Sequence, residues 1–327
     1  MKRFNNILCL VEPDISSEAA LDQAIRIAND HQATITIAST LNPTGIFHRI
    51  FKNQKERNET ISESAKIKRN ATEKWVKLYK PELKADVEIY TGIGFIEIVK
   101  SVLENQYDLV VKCANDMDWL DRLFGNEDMH LMRRCPCPLL ILKPGHNEVF
   151  KNVLATVDVN DDFTELDENR VQDGLNEKVL EYSAVFSLAE LTELHIGSVW
   201  EAYGEDFLRY GAFSHVSEEK ADLYEEQAQR ACSDRLKFLV TEMSKQLGKD
   251  TINFLHPKVH LVKGLPAKEI PLMAKQYGVD LIVMGTVART GIPGFIIGNT
   301  AEYILEQVQC SVLAIKPDGF KTPALKM

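Results

Sequence analysis

Two tandem doubly wound α/β domains, each built on a five-stranded parallel sheet, are what this sequence predicts, and three observations predict it. Short apolar strands alternate with amphipathic helical patterns along the whole chain, which is the signature of βαβ units. The same order of elements then occurs twice. The length of 327 residues is more than one ordinary domain needs and is comfortable for two, each with its own core.

The first strand of each half is a buried run ending in an acid: Asn6-Ile7-Leu8-Cys9-Leu10-Val11-Glu12, and Asn152-Val153-Leu154-Ala155-Thr156-Val157-Asp158. An amphipathic helix follows, predicted over Ser16 to Ala28 in the first half and from Asn176 to Ala189 in the second. Strand two is Thr34 to Ala38 and its counterpart Thr192 to Ile196. After a long variable segment and a polar helix, a third strand ends in glycine in both copies, at Gly92 and Gly264, each ahead of a helix. Both halves then give the dipeptide Asp-Leu, at Asp108-Leu109 and Asp280-Leu281, opening a fourth strand. Both close on a strand ending in Lys-Pro, at Lys143-Pro144 and Lys316-Pro317. The polar stretch Gly145-His146-Asn147-Glu148 sets the domain boundary, giving 1–146 and 147–327. The second half carries extra residues in two loops, Asp161 to Asp173 and Glu201 to Tyr224, which a duplicated fold tolerates.

Composition narrows the function classes. Hydrophobic residues at 45% and charged residues at 26% are those of a globular protein. No apolar run approaches the ~20 residues that cross a bilayer, and acids at Glu12 and Asp14 cut short any leader-like stretch, so a cytoplasmic protein without a membrane partner is expected. A net charge of −10 argues against nucleic acid as the main partner. The six cysteines are scattered among apolar residues, and Cys135-Pro136-Cys137 has neither the two-residue gap of a redox motif nor a second pair of zinc ligands. Buried reduced thiols and no metal site are expected.

The sharpest local signal runs from Val283 through Gly285, Thr286, Ala288, Arg289, Gly291, Gly294 and Gly298 to Asn299, Thr300 and Glu302. A buried strand enters a glycine-rich loop, and the loop enters a helix that Asn299 and Glu302 are placed to cap as a box. Unpaired N–H groups of a first helical turn, small residues that let backbone approach a ligand, Arg289 and the hydroxyls of Thr286 and Thr300 together suit a phosphate. The site falls beyond the carboxyl ends of the strands, where doubly wound sheets bind ligands.

The spacing Gly-x2-Gly-x9-Gly-Ser/Thr after a Val-Met-Gly strand resembles the nucleotide-binding motif of the universal stress protein family, and the whole chain is similar to its tandem type. The resemblance implies an adenine nucleotide alpha hydrolase-like fold with strand order 3-2-1-4-5 in each half, and halves joined through their final strands as an intramolecular pseudodimer. It implies a stress-response protein that binds ATP, another adenine nucleotide or another small phosphorylated ligand. Thr156 and Asp158 would flank adenine and ribose, and Ile196 and Met284 would wall the base. Gly285, Ala288, Arg289, Gly298, Asn299 and Thr300 would surround the phosphates. Two positions depart from the motif: Ala288 stands at its second glycine and Asn299 at its Ser/Thr. In the first half the aligned stretch, Lys112-Cys113-Ala114-Asn115-Asp116-Met117-Asp118-Trp119, lacks the first two glycines, and Asp116, Asp118 and Asp121 would repel phosphate.

A binding protein is thus expected rather than an enzyme. A weak ATPase is the alternative, although there is no Walker-type lysine and no nucleophile with a base beside it. The apolar and aromatic content of the second-half insertion (Trp200, Tyr203, Phe207, Leu208, Tyr210, Phe213) leaves open a carrier of an amphipathic ligand or a module for a protein partner.

Overall fold

A computed structural model describes residues 4–13, 17–43, 53–114, 126–145, 149–160, 166–190, 192–210, 216–286 and 298–322. Among the described residues, ten strands form one sheet in the order β3-β2-β1-β4-β5-β10-β9-β6-β7-β8. The first half supplies β1 Asn6–Leu10, β2 Thr34–Leu41, β3 Asp86–Thr91, β4 Leu109–Cys113 and β5 Leu139–Leu142. The second supplies β6 Asn152–Thr156, β7 Glu193–Trp200, β8 Lys258–Lys263, β9 Leu281–Gly285 and β10 Ser311–Ile315. Each half is therefore a five-stranded parallel sheet in the order 3-2-1-4-5, and the two meet edge to edge where β10 runs antiparallel to β5.

Helices cover both faces. One face carries α1 Glu18–His31, α2 Gln54–Tyr79, α5 Leu166–Glu190, α7 Glu218–Leu247 and α8 Lys249–Leu255. The other carries α3 Gly94–Asn105, α4 Asn126–Arg134, α9 Pro266–Gln276 and α10 Asn299–Gln307. A short helix, α6 Glu205–Tyr210, lies in the second-half insertion. Strand alternation feeds each layer: Leu140 and Leu313 face the first, Ile141 and Val312 the second, so both cores run unbroken across the seam.

The repeated sequence signals have structural counterparts. Asp108 accepts the backbone N–H groups of Asn5 (2.7 Å) and Asn6 (3.0 Å) at the start of β1. Asp280 accepts those of Lys151 (2.8 Å) and Asn152 (3.1 Å) at the start of β6. Gly92 and Gly264 hold φ of +146° and +141°, where a side chain would be strained and a Cβ would meet Glu97 or Glu269 at 2.9 Å. One predicted boundary is corrected. Helix α5 begins at Leu166, not Asn176, and so absorbs much of the acidic insertion. The aromatic stretch splits: Trp200 ends β7 and is buried in the core, Tyr203 is half-exposed, Phe207 and Tyr210 are exposed, and Phe213 lies outside the described residues.

Polar contacts tie the halves as well. Lys316, buried at the end of β10, donates to the Met132 carbonyl of α4 and to the Thr286 hydroxyl, each at 2.6 Å. Burial pushes its ammonium down to about 7, opposed by the field of Cys135. Phe4 stacks on Tyr182 with ring centroids 5.6 Å apart, and Arg133 pairs with Glu302 (Nε to Oε1, 2.8 Å).

Candidate functional site

The carboxyl ends of β6 and β9 and the start of α10 enclose a cavity of about 410 Å³, within the range that holds a small ligand. Thr156, Asp158, Met284, Gly285, Gly298, Asn299 and Thr300, seven of the residues singled out from the sequence, line it together. They are brought there by pairing: Thr156 lies opposite Met284 in the β6–β9 ladder, and α10 starts next to both strand ends.

Two buried asparagines hold Asp158, Asn176 at its backbone and Asn160 at its carboxylate. Asn176 accepts the Asp158 N–H (3.0 Å) and donates to its carbonyl (2.7 Å). Asn160 donates from its N–H (3.3 Å) and its side-chain amide (3.2 Å) to Asp158 Oδ1, while the same amide reaches the Val199 carbonyl (3.0 Å). Sequence reasoning missed both; the only signal for Asn176 was its place at the head of the predicted helix. The apolar wall is Met284 with Val199, Ile270 and Ile304. Asp158 and Glu201 are its acids, and the described lining residues include no cation.

Gly285 sits directly beneath a side chain. A Cβ there would lie 2.5 Å from Leu175 Cδ2, so the bare backbone is what lets α5 pack this close. Beyond it, Gly298 in extended conformation is the N-cap of α10 and makes no side-chain cap bond. The N–H groups of the first turn thus carry the positive end of the helix at the cavity wall.

Several expectations are corrected here. Ile196 is fully buried on the opposite sheet face with Leu194 and Val283. Successive strand residues point to opposite faces, so Val199 and not Ile196 stands with Met284. Thr286 is also fully buried, and its hydroxyl receives Lys316, which removes it from the cavity wall. Asn299 and Glu302 make no capping box: Asn299 is the first helical residue, and Glu302 turns to Arg133. Ala288 and Arg289 lie outside the described residues.

The equivalent place in the first half is a cavity of about 240 Å³ with different chemistry. Leu10 faces Lys112 in the β1–β4 ladder as Thr156 faces Met284 in β6–β9, so Lys112 holds the position of Met284. Its ammonium is buried against Asp128, which is 0% exposed and occupies in α4 the position Ala301 occupies in α10. At the rim Glu12 pairs with Lys68 (2.6 Å) and accepts the N–H of Thr40 (3.1 Å). An ion pair thus fills what is an apolar wall in the second half. Asp116, Asp118 and Asp121 lie outside the described residues. His130 is packed, stacked on Phe95 with ring centroids 4.6 Å apart.

The model of the universal stress protein family matches residues 3–143 and 173–316. The universal stress protein E homolog of Haemophilus influenzae is 27% identical over 322 residues, covering 96% of this chain and 98% of that protein. Universal stress protein E of Escherichia coli K12 is 27% identical over 341 residues, covering 99% of this chain and 97% of its own. Among solved structures, a universal stress protein from Archaeoglobus fulgidus superposes with a TM-score of 0.60 at 18% identity, over 96% of this chain and 99% of that one. A protein from Pseudomonas aeruginosa PAO1 does so with a TM-score of 0.65 at 20% identity, over 96% and 93%. The last two speak to the fold. No helix among the described residues is long and apolar enough to cross a membrane.

Proposed function

The chain belongs to the universal stress protein family, which supports a stress-response role, and we propose that it acts there as a cytoplasmic binding protein whose second half alone takes a nucleotide, with ATP or another adenine nucleotide the first candidate. The observation that carries this reading is the contrast between the two equivalent cavities. One pairs an apolar wall (Val199, Ile270, Met284, Ile304) with a fixed carboxylate and an open helix N-terminus. The other has a buried ammonium–carboxylate pair on the same wall.

In the second cavity the apolar wall takes the base, Asp158 accepts from ribose hydroxyls, and the N–H groups of Gly298 to Thr300 face the phosphates. Helix-end stabilisation of an anion is modest, about 0.3–1 kcal/mol when exposed and up to about 2 when partly buried. The apolar wall and the Asp158 carboxylate give base and ribose contacts that a bare phosphate cannot use. Thermal unfolding against ATP, ADP, GTP and inorganic pyrophosphate tests this. Adenine nucleotides at about 100 times their dissociation constant are expected to stabilise the protein by about 2.7 kcal/mol. Pyrophosphate at the same concentration is expected to shift it far less. Equal shifts by pyrophosphate and ATP would show that the base is not read, and no shift with any nucleotide would remove the proposal.

A further inference from the structure

We propose that Cys135 and Cys137, on the seam between the two halves, are a peroxide-sensitive dithiol that closes to an intramolecular disulfide. As a sequence, Cys135-Pro136-Cys137 is an unremarkable pair of core thiols. Folding gives it two further properties. Its sulfurs lie 3.6 Å apart, in hydrogen-bond contact, and closing to about 2.05 Å completes a disulfide. The pair is also buried, and Cys135 lies in the field of the buried ammonium of Lys316, which the second half projects onto the Met132 carbonyl, one turn before Cys135.

The two thiols are inequivalent. The hydrogen bond between them and the field of Lys316 hold the Cys135 thiol below its ordinary value, whereas the same bond and burial hold the Cys137 thiol well above it. Cys9 and Cys310, buried in the two core layers, have their thiols held up by burial. The duplication sharpens the contrast, since in the second half α10 is followed by Val308-Gln309-Cys310 where α4 of the first is followed by Cys135-Pro136-Cys137, and only the second cysteine is kept.

The oxidant is a hydroperoxide. The Cys135 thiolate attacks the terminal peroxide oxygen, the O–O bond breaks, and the alkoxide leaves and takes a proton as the alcohol. Cys135 is then a sulfenic acid. Cys137 attacks that sulfur, the S–O bond breaks, and hydroxide leaves with the Cys137 proton as water. Overall two thiols and one hydroperoxide give one disulfide, one alcohol and one water. Oxidation removes the sulfur anion facing Lys316, the residue that also holds Thr286 at the end of β9.

The test is hydrogen peroxide titration of the full chain, followed by peptide mass spectrometry. The tryptic peptide beginning at Cys135 carries both cysteines and no other. It is expected to lose the mass of two hydrogens at least about tenfold faster than Cys310 is modified. Cys137→Ser is expected to leave Cys135 as a sulfenic acid captured by dimedone, whereas Cys135→Ser should leave Cys137 unreactive. Lys316→Met should slow the reaction without abolishing it. Oxidation of Cys135 no faster than Cys310 would overturn the proposal. So would formation of sulfinic acid at Cys135 in wild type without the disulfide, or an equal dimedone yield from wild type and Cys137→Ser.

Discussion

Replacing Lys112 by Met is expected to destabilise the protein by about 3–5 kcal/mol, although the new side chain is apolar and lies in a core. The reason is its partner. Asp128 is 0% exposed and its carboxylate pairs with the Lys112 ammonium, so removing the lysine takes the counter-charge away from a buried acid. The second half supplies the remedy, because it places Met284 and Ala301 at these two positions. Lys112→Met with Asp128→Ala is therefore expected to recover most of the loss, apart from whatever cavity the smaller side chains leave. Urea unfolding of wild type, both single variants and the double variant measures the coupling. A double variant as unstable as the sum of the singles would show that the pair does not act as a unit.

The second large effect is expected at the seam. Leu313 faces Leu140 across the antiparallel β5–β10 ladder, and both are 0% exposed. Leu313→Asp buries an unpaired carboxyl where the two halves share one core, at a cost of at least about 4 kcal/mol. Leu313→Val removes one methylene and is expected to cost about 1 kcal/mol. The Asp variant should lose its cooperative transition and associate, because parting the seam exposes two apolar strand edges. Thermal unfolding with size-exclusion chromatography reads both effects. A monomeric Asp variant melting near wild type would mean that the seam contributes little to folding.

The duplication and the sheet were legible because they rest on signals that repeat: Asp108 and Asp280 bind the backbone at the start of the strands beside them, and Gly92 and Gly264 hold the same left-handed turn. The two Lys-Pro strands could be read as a pair because both are apolar on both faces. What failed turned on direction and on partners distant in sequence. Ile196 was misplaced by one step of strand alternation. Thr286 was assigned to a ligand because nothing local announces Lys316, thirty residues on, as its partner. Glu302 has the spacing of a capping residue but finds Arg133 of the other half. The Lys112–Asp128 pair had one visible sign, a lysine inside an otherwise apolar strand, and its acid is sixteen residues away on a helix.

The central claim, that one cavity of the two is built for a nucleotide, is tested most directly by calorimetric stoichiometry with ATP. Three proteins suffice: wild type, Gly298→Trp, and the transplant Met284→Lys with Ala301→Asp, which copies the ion pair of the first half into the second. Wild type is expected to bind one ATP per chain. Gly298→Trp should weaken binding by at least about tenfold, a loss of about 1.4 kcal/mol, by filling the mouth of α10. The transplant should abolish binding while the protein stays folded. Two ATP per chain, or full binding by both variants, would contradict the account.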